Sequence, residues 1–524
     1  MLHFTKNALG ASVLFVLFVS SILFLSSCSD DDPVKDTTSP EVSVSGLDDG
    51  ATVWNTVSLS ITASDDSGVD SVKLYIDGKV SASLTQTPYD LTWDSNTVTD
   101  GSHTAKVVVI DKSGNASEKE ISFTVSNTLL NFTIPSNQLV TTGSNTERGF
   151  VFLSDENGKV LASTEYENGK SYQLKNADFS GTTFFLTEIF VVTGSTRTSS
   201  RLWTWSQIER GKNWIFFRNT NAITKTYAGN ANLTLKNAAD NYYYNLYANG
   251  EVTSDYSTTS ATIKLLKSPS KLLVTKFSYD DSATPTYGLY SGIQVGTNQV
   301  NLALVSTPLT KATITNPAGT YSSSIDIFGL TASNNFDEVY RLGGGSSGNG
   351  TTLDYYYPGT AFPMYYWDFY YESPDIYYQQ AGSATSFAVS DVTGDVTSSF
   401  SDNKITYTAS GDFDFLTLAS EGEYSSWYYI LPKGTSQSIP KLEIPAILSA
   451  YTFPTLSADY TYSIYNMGEI TTYDDLKTFV RQSTYSVDEL FDLGKEYKQK
   501  AFRKTSSGGR TAHPRTPLTL KARR

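Results

Sequence analysis

Up to about residue 470 the chain offers no convincing helical period, and that constrains its fold more than any other feature. Its apolar residues fall in short runs, many alternating with polar ones and closed by Gly, Asp or Asn. This is the pattern of strands and tight turns. Phe150-Val151-Phe152-Leu153, the turn Asp155-Glu156-Asn157-Gly158 and Val160-Leu161-Ala162 read as a hairpin. Further strands are predicted at residues 183–192, 214–217, 231–235, 261–266 and 272–277. The composition agrees: 35 Tyr, 27 Phe and only 18% charged residues favour strands over surface helices. A length of 524 residues implies about three or four domains. No repeat of fixed period is present, so packed β-sandwiches are expected rather than a propeller or solenoid.

Residues 40–127 hold six to seven short strands in the spacing of a small sandwich. The marks are Gly50-Ala51-Thr52-Val53, Ala63-Ser64-Asp65-Asp66-Ser67-Gly68-Val69, Val72-Lys73-Leu74-Tyr75-Ile76-Asp77-Gly78, Pro88-Tyr89-Asp90-Leu91-Thr92-Trp93-Asp94 and Asp111-Lys112-Ser113-Gly114-Asn115. In this order they resemble a bacterial immunoglobulin-like domain. The resemblance implies a spacer that presents another domain. Asp65, Asp66 and Asp111 sit in Gly-containing turns. Such oxygens suit calcium, while Asx turns are the plainer reading, and no metal or cofactor is assigned.

The first 28 residues combine Lys6, an almost wholly apolar stretch from Leu9 to Leu25, and the closing Leu25-Ser26-Ser27-Cys28. This resembles the lipobox of a bacterial lipoprotein. The resemblance implies cleavage before Cys28, the only cysteine, and its modification by acyl chains such as palmitate, enough in number for stable anchoring. Ser29-Asp30-Asp31-Asp32 resembles the acidic export signal of Bacteroidota surface lipoproteins, which implies an outer-membrane location facing the cell exterior.

The expected organisation is therefore all-β. It comprises a signal peptide at 1–27, an acidic tether at 28–39, an immunoglobulin-like sandwich at 40–127 and β-rich modules at 128–227 and 228–317. An aromatic-rich β module at 318–470, a helical segment at 471–504 and a disordered basic tail at 505–524 follow. The helical expectation rests on residues 473–481 and on Ser486-Val487-Asp488-Glu489, a capping-box match with Lys and Arg near its far end. Gly343-Gly344-Gly345-Ser346-Ser347-Gly348 reads as a flexible connection, since no phosphate-loop Lys-Ser/Thr follows it.

Chemistry is constrained by the histidines. His3, His103 and His513 leave the large middle of the chain without any, which excludes His-dependent nucleophilic catalysis and His-built zinc sites there. Ten basic residues against one acid from Lys495 onward leave the body before them, Lys6 aside, at about −24. That argues against nucleic acid as a partner.

Residues 354–380 carry twelve aromatic side chains close to Asp354, Asp368, Glu372 and Asp375. Tyr and Trp suit sugar recognition, with a ring face against sugar C–H groups and a polar edge for its hydroxyls. Tyr365, Trp367, Tyr370 and Tyr371 are the candidate contacts. The competing reading is an aromatic sheet buried between packed elements. The expected function is a lipid-anchored binding or adhesion protein taking a polysaccharide or a surface protein, and not an enzyme. A glycoside hydrolase using two carboxyls and a purely structural envelope protein are the alternatives.

Overall fold

A computed structural model of the chain describes residues 35–504, apart from 140, 142, 217–225, 249–250, 256–258, 334–335, 337–338, 457–459 and 483–495. The leader, Cys28, the acidic run and the basic tail lie outside the described residues.

The chain forms two compact units. Of the described residues, unit 1 takes in 35–51, Val57–Trp93 and His103–Phe123. One of its sheets pairs Glu41–Ser45, Thr56–Ser64 and Tyr89–Asp94, and the other runs Ala116–Val125, Gly101–Asp111, Val69–Ile76, Lys79–Leu84. Period-two alternation decides which side chains turn inward. Leu59, Ile61, Leu74, Val107 and Val109 are buried, and Trp93 meets Phe123 edge-on at 5.6 Å between ring centres.

Unit 2 is organised by a twelve-stranded sheet. Its order is Val160–Tyr166, Thr146–Ser154, Thr183–Thr193, Thr198–Glu209, Ser425–Pro432, Phe415–Glu421, Tyr460–Met467, Tyr497–Lys504, Ile376–Ala384, Met364–Glu372, Ser322–Leu330, Val339–Gly348. The segments 128–227 and 318–470 thus both supply strands to one sheet. They meet where Ser200 to Trp205 run parallel to Ser425 to Ile430. Both faces are covered over much of their area. Phe150 and Phe152 enter one core with Ile405, Tyr407 and Ile439, while their neighbours Val151 and Leu153 enter a second with Phe132, Trp214 and Leu476. Runs with no polar residue, such as Phe150 to Leu153, are what coverage on both faces demands. Residues 229–308 build two smaller sheets around a core of their own, with Leu233, Ile263, Leu272 and Val300.

Two sequence expectations are corrected here. Tyr473–Gln482 is helical, but Tyr497–Lys504, expected within the helical segment, is a strand inside the large sheet. Tyr497, Gln499 and Ala501 are buried on one face. On the other, Phe502 stacks on Tyr462 at 5.0 Å and the Lys500 ammonium lies 2.9 Å from the Asp391 carboxylate. Two flanking strands supply hydrogen bonds that outweigh a local helical bias. Likewise the glycine run at 343–345 is not a loop but part of the strand Val339–Gly348. A Cβ on Gly344 would lie 1.4 Å from the Ile325 carbonyl oxygen, and one on Gly345 2.4 Å from that of Asp354. Only glycine permits backbones to approach this closely.

Candidate functional site

Alternation splits the aromatic strand Met364–Glu372 between two environments. Tyr365, Trp367 and Tyr371 are 1%, 1% and 6% exposed and belong to the first core. The Tyr365 hydroxyl donates to the Gly359 carbonyl at 2.8 Å and the Trp367 indole N–H to that of Ala384 at 3.0 Å. Burial pushes the Tyr371 hydroxyl up to about 12. These three side chains are core, so their rings are closed to a ligand. Tyr370 faces the other side, half-buried, stacked on Tyr377 at 6.1 Å.

Beside Tyr370 lies a polar network. Gln379 Nε2 donates to Asp368 at 2.8 Å, while Gln379 Oε1 accepts from the Tyr377 hydroxyl and from Gln499 Nε2, both at 3.0 Å. Desolvation raises the Asp368 carboxyl to about 6, offset in part by the Gln379 hydrogen bond and reinforced by the charge of Asp326. Asp326 stands directly opposite on the neighbouring strand and holds Arg341 at 3.1 Å. These two facing carboxyls are the kind of pair that a hydrolase reading looks for, but one is tied to a guanidinium and the other to an amide.

An open cleft lies elsewhere in unit 2, where residues 441–456 leave the sheets. Pro440, Pro445 and Pro454 lack the N–H a ladder needs. The segment instead turns through the short helix Ala446–Leu448 and sinks Leu442, Leu448, Phe453 and Leu456 into the first core. Its start is fixed by a turn: the Glu443 amide donates to the Gly158 carbonyl at 2.8 Å. Gly158 has φ +85°, and a Cβ there would lie 2.3 Å from the Lys441 carbonyl oxygen. Further along, the Ser420 hydroxyl donates to the Thr455 carbonyl at 3.0 Å.

The cleft has a volume of about 330 Å³, at the lower end of small-ligand sites. Trp427 and Tyr429 line it, stacked at 5.3 Å, with the Trp427 indole held by the Thr204 hydroxyl at 2.7 Å. Tyr451 and Phe453 add aromatic lining, Ile444 is exposed, and Lys441, Ser449, Thr452 and Thr455 offer exposed polar groups. Tyr451 is held in place: its hydroxyl accepts from Arg148 Nη1 at 2.7 Å, and Arg148 lies 5.0 Å from the centre of the Phe150 ring. The other edge of Arg148 grips Glu165 through two bonds of 2.7 and 2.6 Å, which lowers that carboxylate's pKa. A larger depression of about 570 Å³ on the sheet surface near Asn232, Thr262 and Thr297 has neither ring nor charge in its lining among the described residues.

In unit 1, His103 is bound to Asp77 at 2.7 Å, a structural contact. Asp65 accepts from the Ser67 amide and Asp111 from the Ser113 amide, as Asx turns do. Asp65 and Asp66, together with Asp36 rather than Asp111, bring one oxygen each within 4.8 Å of one another. Sequence reasoning missed the cleft. Its signal is three prolines spaced through an apolar, aromatic stretch that does not alternate.

Residues 40–107 match the family model of a bacterial Ig domain. No curated protein matches the chain. Among solved structures, the fibronectin(III)-like modules of Clostridium thermocellum CbhA are 24% identical, covering 16% of this chain and 96% of that one, with a TM-score of 0.15. The Bacteroides ovatus mixed-linkage glucan utilization locus protein SGBP-B, solved with a mixed-linkage heptasaccharide, is 12% identical over 61% of this chain and 98% of its own, at a TM-score of 0.16. A tetra-tandem repeat from the extending region of a large adhesion protein is 14% identical over 66% and 98%, at 0.18. Likenesses at such TM-scores carry nothing about the cleft.

Proposed function

We propose that this chain is a lipid-anchored bacterial surface protein that binds a glycan in the cleft formed by residues 441–456. The observation that carries the reading is the aromatic lining. The half-buried ring of Tyr451 beside exposed hydroxyls at Ser449, Thr452 and Thr455 supplies the two halves of sugar recognition: apolar stacking and edge hydrogen bonds. The bacterial Ig domain at 40–107 suits a spacer, and the lipobox at Cys28 with the acidic run after it suits anchoring on the outer face of the outer membrane. Binding, rather than turnover, is the role assigned to this cleft, because no carboxylate lines it among the described residues.

The test is affinity electrophoresis of the chain from Ser29 onward through gels containing a panel of polysaccharides, with reducing ends assayed in the same samples. Retardation by one glycan that disappears in Tyr451→Ala supports the reading. Release of reducing ends identifies a hydrolase instead, and no retardation across a broad panel leaves a structural or protein-docking role.

A further inference from the structure

We infer that the glycan taken by this cleft is anionic, a polymer bearing uronate carboxylates, selected by Lys441. The inference rests on the glycan reading of the cleft and names the ligand class within it. Lys441 is the one charged residue of the lining among the described residues. It is exposed and makes no salt bridge among the described residues. Two carboxylates on neighbouring elements are already occupied. Glu165 is clamped by Arg148, and Asp155 accepts the Asn157 and Lys159 amides of its own turn, both at 2.9 Å. In a chain with 53 acids and 39 Lys and Arg, Lys441 sets an exposed ammonium, outside any salt bridge among the described residues, beside an aromatic surface. A sugar ring stacked there can place a ring carboxylate at that ammonium while its hydroxyls reach Ser449 and Thr452, and a neutral ring leaves the charge unused. The net charge of −14 opposes indiscriminate capture of polyanions, so retention of one reports a specific contact.

The experiment uses the chain from Ser29 to Arg524 in affinity gels containing polygalacturonate or neutral dextran and β-glucan, at low and high salt. The expected result is retardation by polygalacturonate that weakens with salt and falls about tenfold in Lys441→Gln, and further in Lys441→Glu. Weak retardation by the neutral polymers stays unchanged in both variants. Equal retardation by neutral and acidic polymers, unmoved by Lys441→Gln, overturns the inference and leaves the glycan reading standing. No retardation by any polymer overturns both. Retention that survives Lys441→Gln but is lost when Lys521, Arg523 and Arg524 are all changed to Gln puts the anion contact in the basic tail and also overturns it.

Discussion

Asp368 gives the large sheet a built-in dependence on pH. Its carboxyl, raised by desolvation from 3.8 to about 6, binds a proton more tightly in the folded chain than in the unfolded one. A group shifted this way contributes fully below the unfolded value, and the contribution is lost as pH rises through the folded value. The shift of roughly two units corresponds to up to about 3 kcal/mol at about 1.4 kcal/mol per unit, lost between about pH 4 and pH 6.5. Asp368→Asn keeps an oxygen to accept from Gln379 and removes the titration. At pH 7.5 the variant is expected to be more stable than the parent by up to about 3 kcal/mol, and at pH 4 nearly equal to it. Urea unfolding followed by tryptophan fluorescence at half-unit pH steps measures both, read on the transition that carries the unit 2 tryptophans. A difference that stays flat from pH 4 to 7.5, or a variant less stable at both ends, refutes the reasoning.

Other expectations follow from single contacts. Trp367→Ala, in a fully buried site, should cost about 3–5 kcal/mol in chemical denaturation, an effect that a surface ring would not produce. Gly344→Ala places a methyl 1.4 Å from a carbonyl oxygen and should lower stability by at least about 3 kcal/mol, visible as loss of soluble chain or a lowered Tm. Lys477 is 2% exposed and bound to Glu209, itself 38% exposed, at 2.7 Å, so Glu209→Ala should cost about 2 kcal/mol, less than a fully buried pair because solvent screens the carboxylate and Asp474 still faces the ammonium at 3.0 Å. Against the desolvation that raises it, hydrogen bonds from Lys477 and Arg481 bring Glu209 down to about 2. The stability it contributes is present above about pH 4.5 and is lost as pH falls toward 2, a trend that acid titration of Glu209→Gln should not show.

Much of the fold was legible in the sequence because strands advertise themselves by period two. Phe150 to Leu153 and residues 183–192 were readable as strands, and the Ig-like module by its turns. What alternation does not reveal is whether the outward face is covered. Tyr365, Trp367 and Tyr371 have the composition of a sugar platform, and the sheets Thr310–Thr315 with Thr352–Tyr357 and Gly394–Ser401 with its neighbours close over that same core. Glycine misled for a related reason. Gly344 and Gly345 carry no strand propensity, and the close approach that requires them is a tertiary fact. Lys498 and Lys500 read as charges at the end of a helix, yet Tyr497, Gln499 and Ala501 alternate with them and are buried on one face of the strand. The cleft went unseen because residues 441–456 have no period at all.

The central claim is that ligand enters this cleft, and hydrogen exchange of the chain from Ser29 onward, with and without the glycan retained in the gels, tests it most directly. Slowed exchange confined to residues 441–456 and to the strand Ser425–Pro432 beneath them is the expected result. Slowing confined to the face carrying Tyr370 and Asp368, or to unit 1, would contradict it.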